Sequence, residues 1–274
     1  MERTTRKRTT SKSFIHVSSQ PSFWDHLDQL RSDVIKMLLA VVVCAIVAFC
    51  FKEALFGVIL APQSDSFVTY RLLQACSEYF APTASSFMAP VDVVLINTGL
   101  AEQFVLHVKT SLWVGFLVAS PYIIYLLFRF VAPALYANER KYAARLVLSG
   151  FIMFALGVVL TYFLFFPLIF RFLGAYQVSE AVANTVTLTS YLETLMLLCL
   201  SMGVVFEIPV LCWFLGKMGL IHARMMSRYR RHAVVALLVL AAIITPTSDV
   251  FTLLLVFAPM WLLYEFSILI VRRA

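Results

Sequence analysis

Fifteen consecutive residues, Met37–Phe51, carry no polar side chain, and four further runs come close: Leu112–Phe128, interrupted only by Ser120 and Pro121, then Leu146–Phe170, Leu195–Leu215 and Val250–Val271. A helix needs roughly 20 apolar residues to cross a hydrocarbon core about 30 Å thick, and the last three runs each meet that length. In lipid every backbone N–H and C=O must find its partner inside the protein, which a helix achieves unaided. Strands of a membrane barrel would instead alternate apolar and polar residues over about ten positions, and these runs do not alternate. The composition agrees: 61% of the residues are hydrophobic and only 14% charged, where soluble domains have about 25% charged residues. A sixth run, Ala233–Ile244, is shorter and fits either a full crossing or a dip into the membrane as a hairpin with the last span. The pattern predicts an all-α membrane protein with spans near 34–56, 107–128, 146–170, 194–215, 232–245 and 250–271, the fifth of them short.

Charge gives the expected orientation. Of the 22 Lys and Arg residues, 18 fall in the N-terminal segment, the second and fourth inter-span loops and the C-terminal end, while only Lys52, Arg71 and Arg171 fall on the other side and Lys109 heads the second span. Basic residues concentrate on the cytoplasmic side of membrane proteins, so both termini are expected in the cytoplasm. The net charge of +7 follows from this bias. Nucleic-acid binding is disfavoured, because the basic residues flank spans rather than form one stripe. Residues 1–20 are basic and rich in Ser and Thr, with no apolar core of a cleaved signal, and read as a disordered cytosolic tail before a polytopic domain over 21–274. The long outer loop, 52–104, is rich in Phe, Leu and Val and is expected to pack as a cap of short helices. Cys44, Cys50, Cys76, Cys199 and Cys212 form no Cys-x-x-Cys pair, so neither a disulfide nor a metal site is expected. The motifs of zinc proteases, serine hydrolases, P-loops and dinucleotide folds are absent, which argues against an enzyme and implies no cofactor.

A few polar residues stand where they are costly. Glu207 lies inside the fourth run, where a charge costs roughly 2.5–3.5 kcal/mol on insertion scales. Pro209 follows two residues later and cannot donate to the carbonyl of Val205, which leaves a free acceptor within a turn of the glutamate. The pair reads either as a neutral glutamate tied into the bundle or as a polar contact that admits a translocating chain, a partner helix or water. Asp249 precedes the last run and suits the N-cap of its helix. Glu265 is expected to snorkel or pair with an arginine, and His107 to be a packed or interfacial residue. Before the first span, FWDHLDQLRSDVIK repeats Leu27, Leu30 and Val34 on one helical face and suggests an amphipathic helix lying at the membrane before the chain turns in. Phe130–Tyr142 sets a rigid Ala-Pro-Ala-Leu-Tyr turn and an acid, Glu139, at the lipid boundary.

HLDQLR before the first span, ASP at 119–121, FVAPALYANER at 130–140, FEIPV at 206–210 and TPTSDVF at 245–251 occur in an order that resembles the TatC family, the polytopic core subunit of twin-arginine protein translocases. The resemblance runs from Phe23 to Arg273. It implies six helices in a concave bundle with short fifth and sixth helices, in a bacterial cytoplasmic membrane. It also implies binding of signal peptides with paired arginines, and export of folded proteins by the proton-motive force with single-span TatA- and TatB-type partners in an oligomeric complex. The expected signal-peptide site comprises Glu139, Phe130, Pro133, Arg31, Leu30, Gln29 and Asp33, since carboxylates accept guanidinium groups bidentately. The family motif His-Leu-x-Glu-Leu-Arg has Gln29 at its glutamate here. Either Glu139 then carries the arginine pair nearly alone or Asp28 or Asp33 supplies the second carboxylate, and Asp33, four residues on, shares the face of Gln29. Glu207 and Pro209 are the expected intramembrane polar site, and Asp249, Val250, Phe251 and Leu253 the docking surface for partner helices. The alternative from a different class is a proton-coupled small-solute transporter built on Glu207 and Glu265; it would favour repeated halves, which the sequence lacks.

Overall fold

The computed structural model describes residues 23–64, 66–73, 94–131, 143–176, 185–245 and 249–273; the side chains of Phe23, Asp25, His26, Val131 and 143–145 are not described. The expected N-terminal tail, Cys76, and the Pro133 and Glu139 positions lie outside the described residues.

The apolar runs are helices. α1 spans Phe23–Cys50, and α2, Lys52–Ile59, follows after a single-residue turn. α3 spans Glu102–Val131. α4, Ala143–Leu160, passes through one π-helical turn, Thr161–Phe165, into α5, Phe166–Ala175. α6, Leu188–Val205, breaks at Phe206–Glu207 and resumes as α7, Ile208–Lys217. The short α8, Ala223–Arg228, leads to α9, Arg230–Ile244, and to α10, Val250–Arg273. Among the described residues five stretches are long and apolar enough to cross a membrane: Leu27–Cys50, Glu102–Phe130, Leu146–Ala175, Leu188–Lys217 and Val250–Arg273. α9 has 15 residues, about 22 Å at 1.5 Å per residue, and falls short of the core thickness, as its sequence suggested. The last helix, expected to be short as well, is not: it runs 24 residues, because its apolar stretch continues to Val271 without a charge other than Glu265.

The segment before the first span also departs from expectation. Asp25–Lys36 is not a separate helix at the interface but the first turns of one continuous 28-residue α1. The residues between Phe23 and Cys50 include no Pro or Gly to break it, and an amphipathic period is equally compatible with a helix that simply projects from the membrane. The outer cap is present where it is described: α2 and the 3₁₀ turn Ala61–Gln63 bury Leu55, Ile59, Phe67 and Tyr70. Leu95–Ile96 pairs in parallel with Val186–Thr187, which ties the first outer loop to the second.

The main core forms around α6, whose Leu192, Leu195, Leu198, Cys199 and Met202 are fully buried against α4, α9 and α10. Among the described residues α1 packs instead mainly on α3, with Val41 against Ala119 and Ile123. Gly115 makes this approach possible, since a Cβ there would stand 2.6 Å from the Ala45 nitrogen.

Contacts fix which ends share a face. Asp33 near the start of α1 pairs with Arg129 at the end of α3, and Phe49 near its end stacks on His107, ring centroids 4.1 Å apart, so the two run antiparallel. Lys109 and Glu193 pair at 2.9 Å and Trp113 Nε1 donates to the Met196 carbonyl at 3.2 Å, so α3 and α6 run parallel. Arg230 at the head of α9 pairs with Glu265 of α10 at 2.8 Å, closing an antiparallel hairpin. The start of α1 and the end of α10 therefore lie on one face, together with Arg129, Lys217, α8 and the head of α9. His107 is packed and Glu265 is paired with an arginine, as expected.

Candidate functional site

Three places in this frame hold the expected functional residues. The first is the face where α1 begins and α3 ends. Arg31 is exposed, Leu30 is over a third exposed, and Gln29 is half-buried. Phe130, half-buried, lies at the end of α3. Between them Arg129 Nη2 donates to Asp33 Oδ1, and Lys36 Nζ stands 3.6 Å from the same oxygen. This contact holds the start of α1 against the last turn of α3, and the segment bearing Pro133 and Glu139 leaves α3 within three residues of it.

The contact bears on the two acids expected to supply the second carboxylate. Asp33 is 1% exposed, with Oδ1 held by Arg129 and Oδ2 buried without a hydrogen-bond partner among the described residues. Asp28 is exposed and has no ion pair among the described residues, although Arg31 stands three positions on in the same helix. The helical period that puts Asp33 on the face of Gln29 is intact, but that face turns toward α3. Sequence reasoning missed Arg129 altogether. The available signal was a basic residue at the end of one span and an acid at the start of another, 96 positions away.

The second place is Glu207. It stands at the N-cap position of α7, in the two-residue break that Pro209 enforces, because proline lacks the N–H that α6 would need to continue. Its backbone carbonyl accepts from Leu211 N at 2.9 Å. Its carboxyl oxygen Oε1 is buried without a hydrogen-bond partner among the described residues. The carboxyl lies in a notch at Gly150 of α4, where a Cβ would meet Phe128 at 3.0 Å, Glu207 Oε2 at 3.2 Å and Ile124 at 3.3 Å. Pro209 itself lines a cavity of ≈ 410 Å³ between α4, α7 and α10, walled by Met153, Trp213 and Phe266. A carboxyl left without a partner beside an apolar cavity has a strong preference for any donor that enters, since a buried polar group without a hydrogen bond is costly.

The third place is the head of α10. Asp249 is its N-cap, with Oδ2 accepting from Thr252 N at 2.6 Å. Val250 is exposed and Leu253 half-buried, while Phe251 stacks on Phe172 of α5 at 4.2 Å. An outward apolar edge thus begins at Val250 and continues at Leu254. The preceding turn, 246–248, lies outside the described residues. Among the described residues no cluster of His, Cys, Asp or Glu could hold a metal ion.

Residues 25–259 match the family model for TatC, the Sec-independent protein translocase protein. Among similar curated proteins is the TatC of Blattabacterium sp. subsp. Periplaneta americana, 34% identical over 250 residues that cover 90% of this chain and 94% of that protein. The Deinococcus radiodurans TatC is 31% identical, over 93% of this chain and 87% of its own length, and the Aquifex aeolicus TatC 30% identical, over 91% and 94%. A crystal structure of the twin-arginine translocase receptor TatC superimposes with a TM-score of 0.72 at 30% identity, covering 90% of this chain and 98% of that one. With the helical architecture above, these matches establish that the chain is a multi-pass membrane protein of the TatC family of Sec-independent protein translocase proteins.

Proposed function

We propose that this protein is the subunit of a twin-arginine translocase that receives signal peptides at the cytoplasmic face of a bacterial inner membrane. It works by binding rather than by catalysis, and with TatA- and TatB-type partners it passes folded proteins across by the proton-motive force. In this reading α9 is a short fifth membrane helix, giving six, and the face rich in arginine is cytoplasmic. The observation that carries the reading is the Asp33–Arg129 contact, because it joins the turn of α1 that follows Gln29, Leu30 and Arg31 to the turn of α3 that holds Phe130 and precedes Pro133 and Glu139 in the sequence. Glu139 supplies one carboxylate for the arginine pair, and exposed Asp28 supplies the second in place of the family glutamate at Gln29. Single-span partners dock along the edge that starts at Asp249, Val250, Phe251 and Leu253, and the unpartnered Glu207 carboxyl offers a polar group a contact inside the bundle.

Photo-crosslinking from position 139 tests this. Signal peptides with the arginine pair should crosslink, and peptides with both arginines replaced by lysine or glutamine should not. Equal crosslinking of both would contradict the reading. Uptake of a small solute by the protein alone, without partners, would support the transporter alternative instead.

A further inference from the structure

Between Glu207 and Asp249 the sequence holds no acidic residue, yet it holds Lys217, Arg224, Arg228, Arg230 and Arg231, and Arg272 and Arg273 follow at the end of α10. The fold gathers these into one ledge. Met226 of α8 is buried against Ile268 and Val271 of α10, Tyr264 donates its hydroxyl to the Met226 carbonyl at 2.9 Å, and Gly216 at the end of α7 abuts Val271. α8 thus lies alongside the last turns of α10. Among the described residues Glu265 is the carboxylate beside this ledge, and it is taken by Arg230. Arg224, Arg228, Arg231, Arg272 and Arg273 are all exposed, with no ion pair among the described residues.

The ledge is not only charged. Leu220, Met225 and Tyr229 on the same segment are 61%, 41% and 52% exposed. Large apolar side chains interleaved with arginines suit neither open water nor the hydrocarbon core. They suit the headgroup region, where the apolar groups enter the acyl boundary and the cations meet phosphate. Depth agrees. The head of α9 stands level with Glu265, eight residues before the end of α10, or about 12 Å at 1.5 Å per residue. The short α9 therefore holds its arginines beside the final two turns of a full-length span, within reach of lipid headgroups.

We propose that this ledge, formed by α8, the head of α9 and the end of α10, is a binding surface for anionic lipid headgroups. Clustered basic residues beside a membrane helix attract anionic lipids, and guanidinium groups pair bidentately with phosphate. The ledge shares its face with the α1–α3 contact but is built from other helices, and the proposal rests neither on that contact nor on the Glu207 notch.

The test uses the full-length protein in nanodiscs of phosphatidylcholine with increasing phosphatidylglycerol. Lipids retained by the protein are counted by native mass spectrometry, and their enrichment is compared with the bulk. The wild-type protein should retain phosphatidylglycerol over phosphatidylcholine, with the preference falling as salt rises. Each step along R224Q, R228Q and R231Q should lower the preference about fivefold. R71Q, on the opposite face, should leave it unchanged. Absence of any preference in the wild type, or a preference that survives the triple variant, would overturn the proposal. So would displacement of the lipid by a soluble poly-glutamate peptide at low micromolar concentration, which would mark the ledge as a site for an acidic polypeptide. If the triple variant does not fold, the salt dependence of the wild-type preference decides alone: a salt-independent preference contradicts the assignment.

Discussion

α6 and α1 are both apolar helices of spanning length, and they are held by opposite means. α6 is enclosed: Leu192, Leu195, Leu198, Cys199 and Met202 are all fully buried, and α4, α9 and α10 surround it. α1 leans mainly on α3, with Ile35, Leu38, Leu39, Val43 and Ile46 exposed. What fixes it is the glycine contact at Ala45 in the middle and the Asp33–Arg129 pair at one end. Lipid tails are as apolar as leucine, so packing between membrane helices gains little from the hydrophobic effect and depends on close fit and polar contacts. The fold is therefore robust around α6 and adjustable at the start of α1, which is where the proposed peptide site lies.

The comparison breaks most visibly in the core. Leu195→Ala should destabilise the protein by about 2–5 kcal/mol, the range for emptying a tightly packed site, whereas Leu39→Ala on α1 should stay within about 0.5 kcal/mol. Reversible unfolding in mixed micelles would measure both. Equal costs would mean that α1 is buried in the working assembly.

Arg129→Ala comes next. It leaves Asp33 buried with only Lys36 for company, at a cost of about 1–3 kcal/mol, reduced because Arg129 is 40% exposed and partly screened. Its structural signature should be local: the distance between spin labels at positions 29 and 130 should lengthen and broaden, while labels at positions 45 and 115 should not move.

Gly150→Ala should have a smaller effect. The added methyl presses on Phe128, Ile124 and the Glu207 carboxyl, an overpacking of about 1 kcal/mol. Because it displaces Glu207 without removing it, export should fall more than stability does. Glu207→Gln should be the mildest, retaining the fold and the hydrogen-bonding capacity. Full export by that variant would rule out an ionised role for Glu207.

The membrane class, the helices and the short α9 were legible in the sequence because lipid forces unbroken apolar runs into helices. Pro209 marked the loss of a donor near Val205, but the expected span ran unbroken over 194–215, and the break at Phe206–Glu207 came only with the structure. The Asp249 cap and the Glu265–Arg230 pair followed from residue type and position. What could not be read was how helices far apart in sequence face one another. Asp33 carries the right helical period for a peptide acceptor, but period says only which residues share a face, and Arg129 decides where that face turns. The continuity of α1 was hidden for a related reason: Leu27, Leu30 and Val34 would line a helix lying on the membrane as well as one entering it. The length of α10 shows the limit of resemblance, since the family led us to expect a short sixth helix and the residues themselves run apolar to Val271.

The central claim is that paired arginines dock where the start of α1 meets the segment after α3, with Glu139 as the principal acceptor. The most direct test is binding of a twin-arginine signal peptide to the protein in nanodiscs, comparing the parent with Glu139→Ala. A hydrogen bond to a charged group is worth about 1.5–3 kcal/mol, so the account predicts a loss of affinity of about tenfold to a hundredfold, with the fold intact by circular dichroism. Binding by Glu139→Ala as tight as by the parent would contradict it.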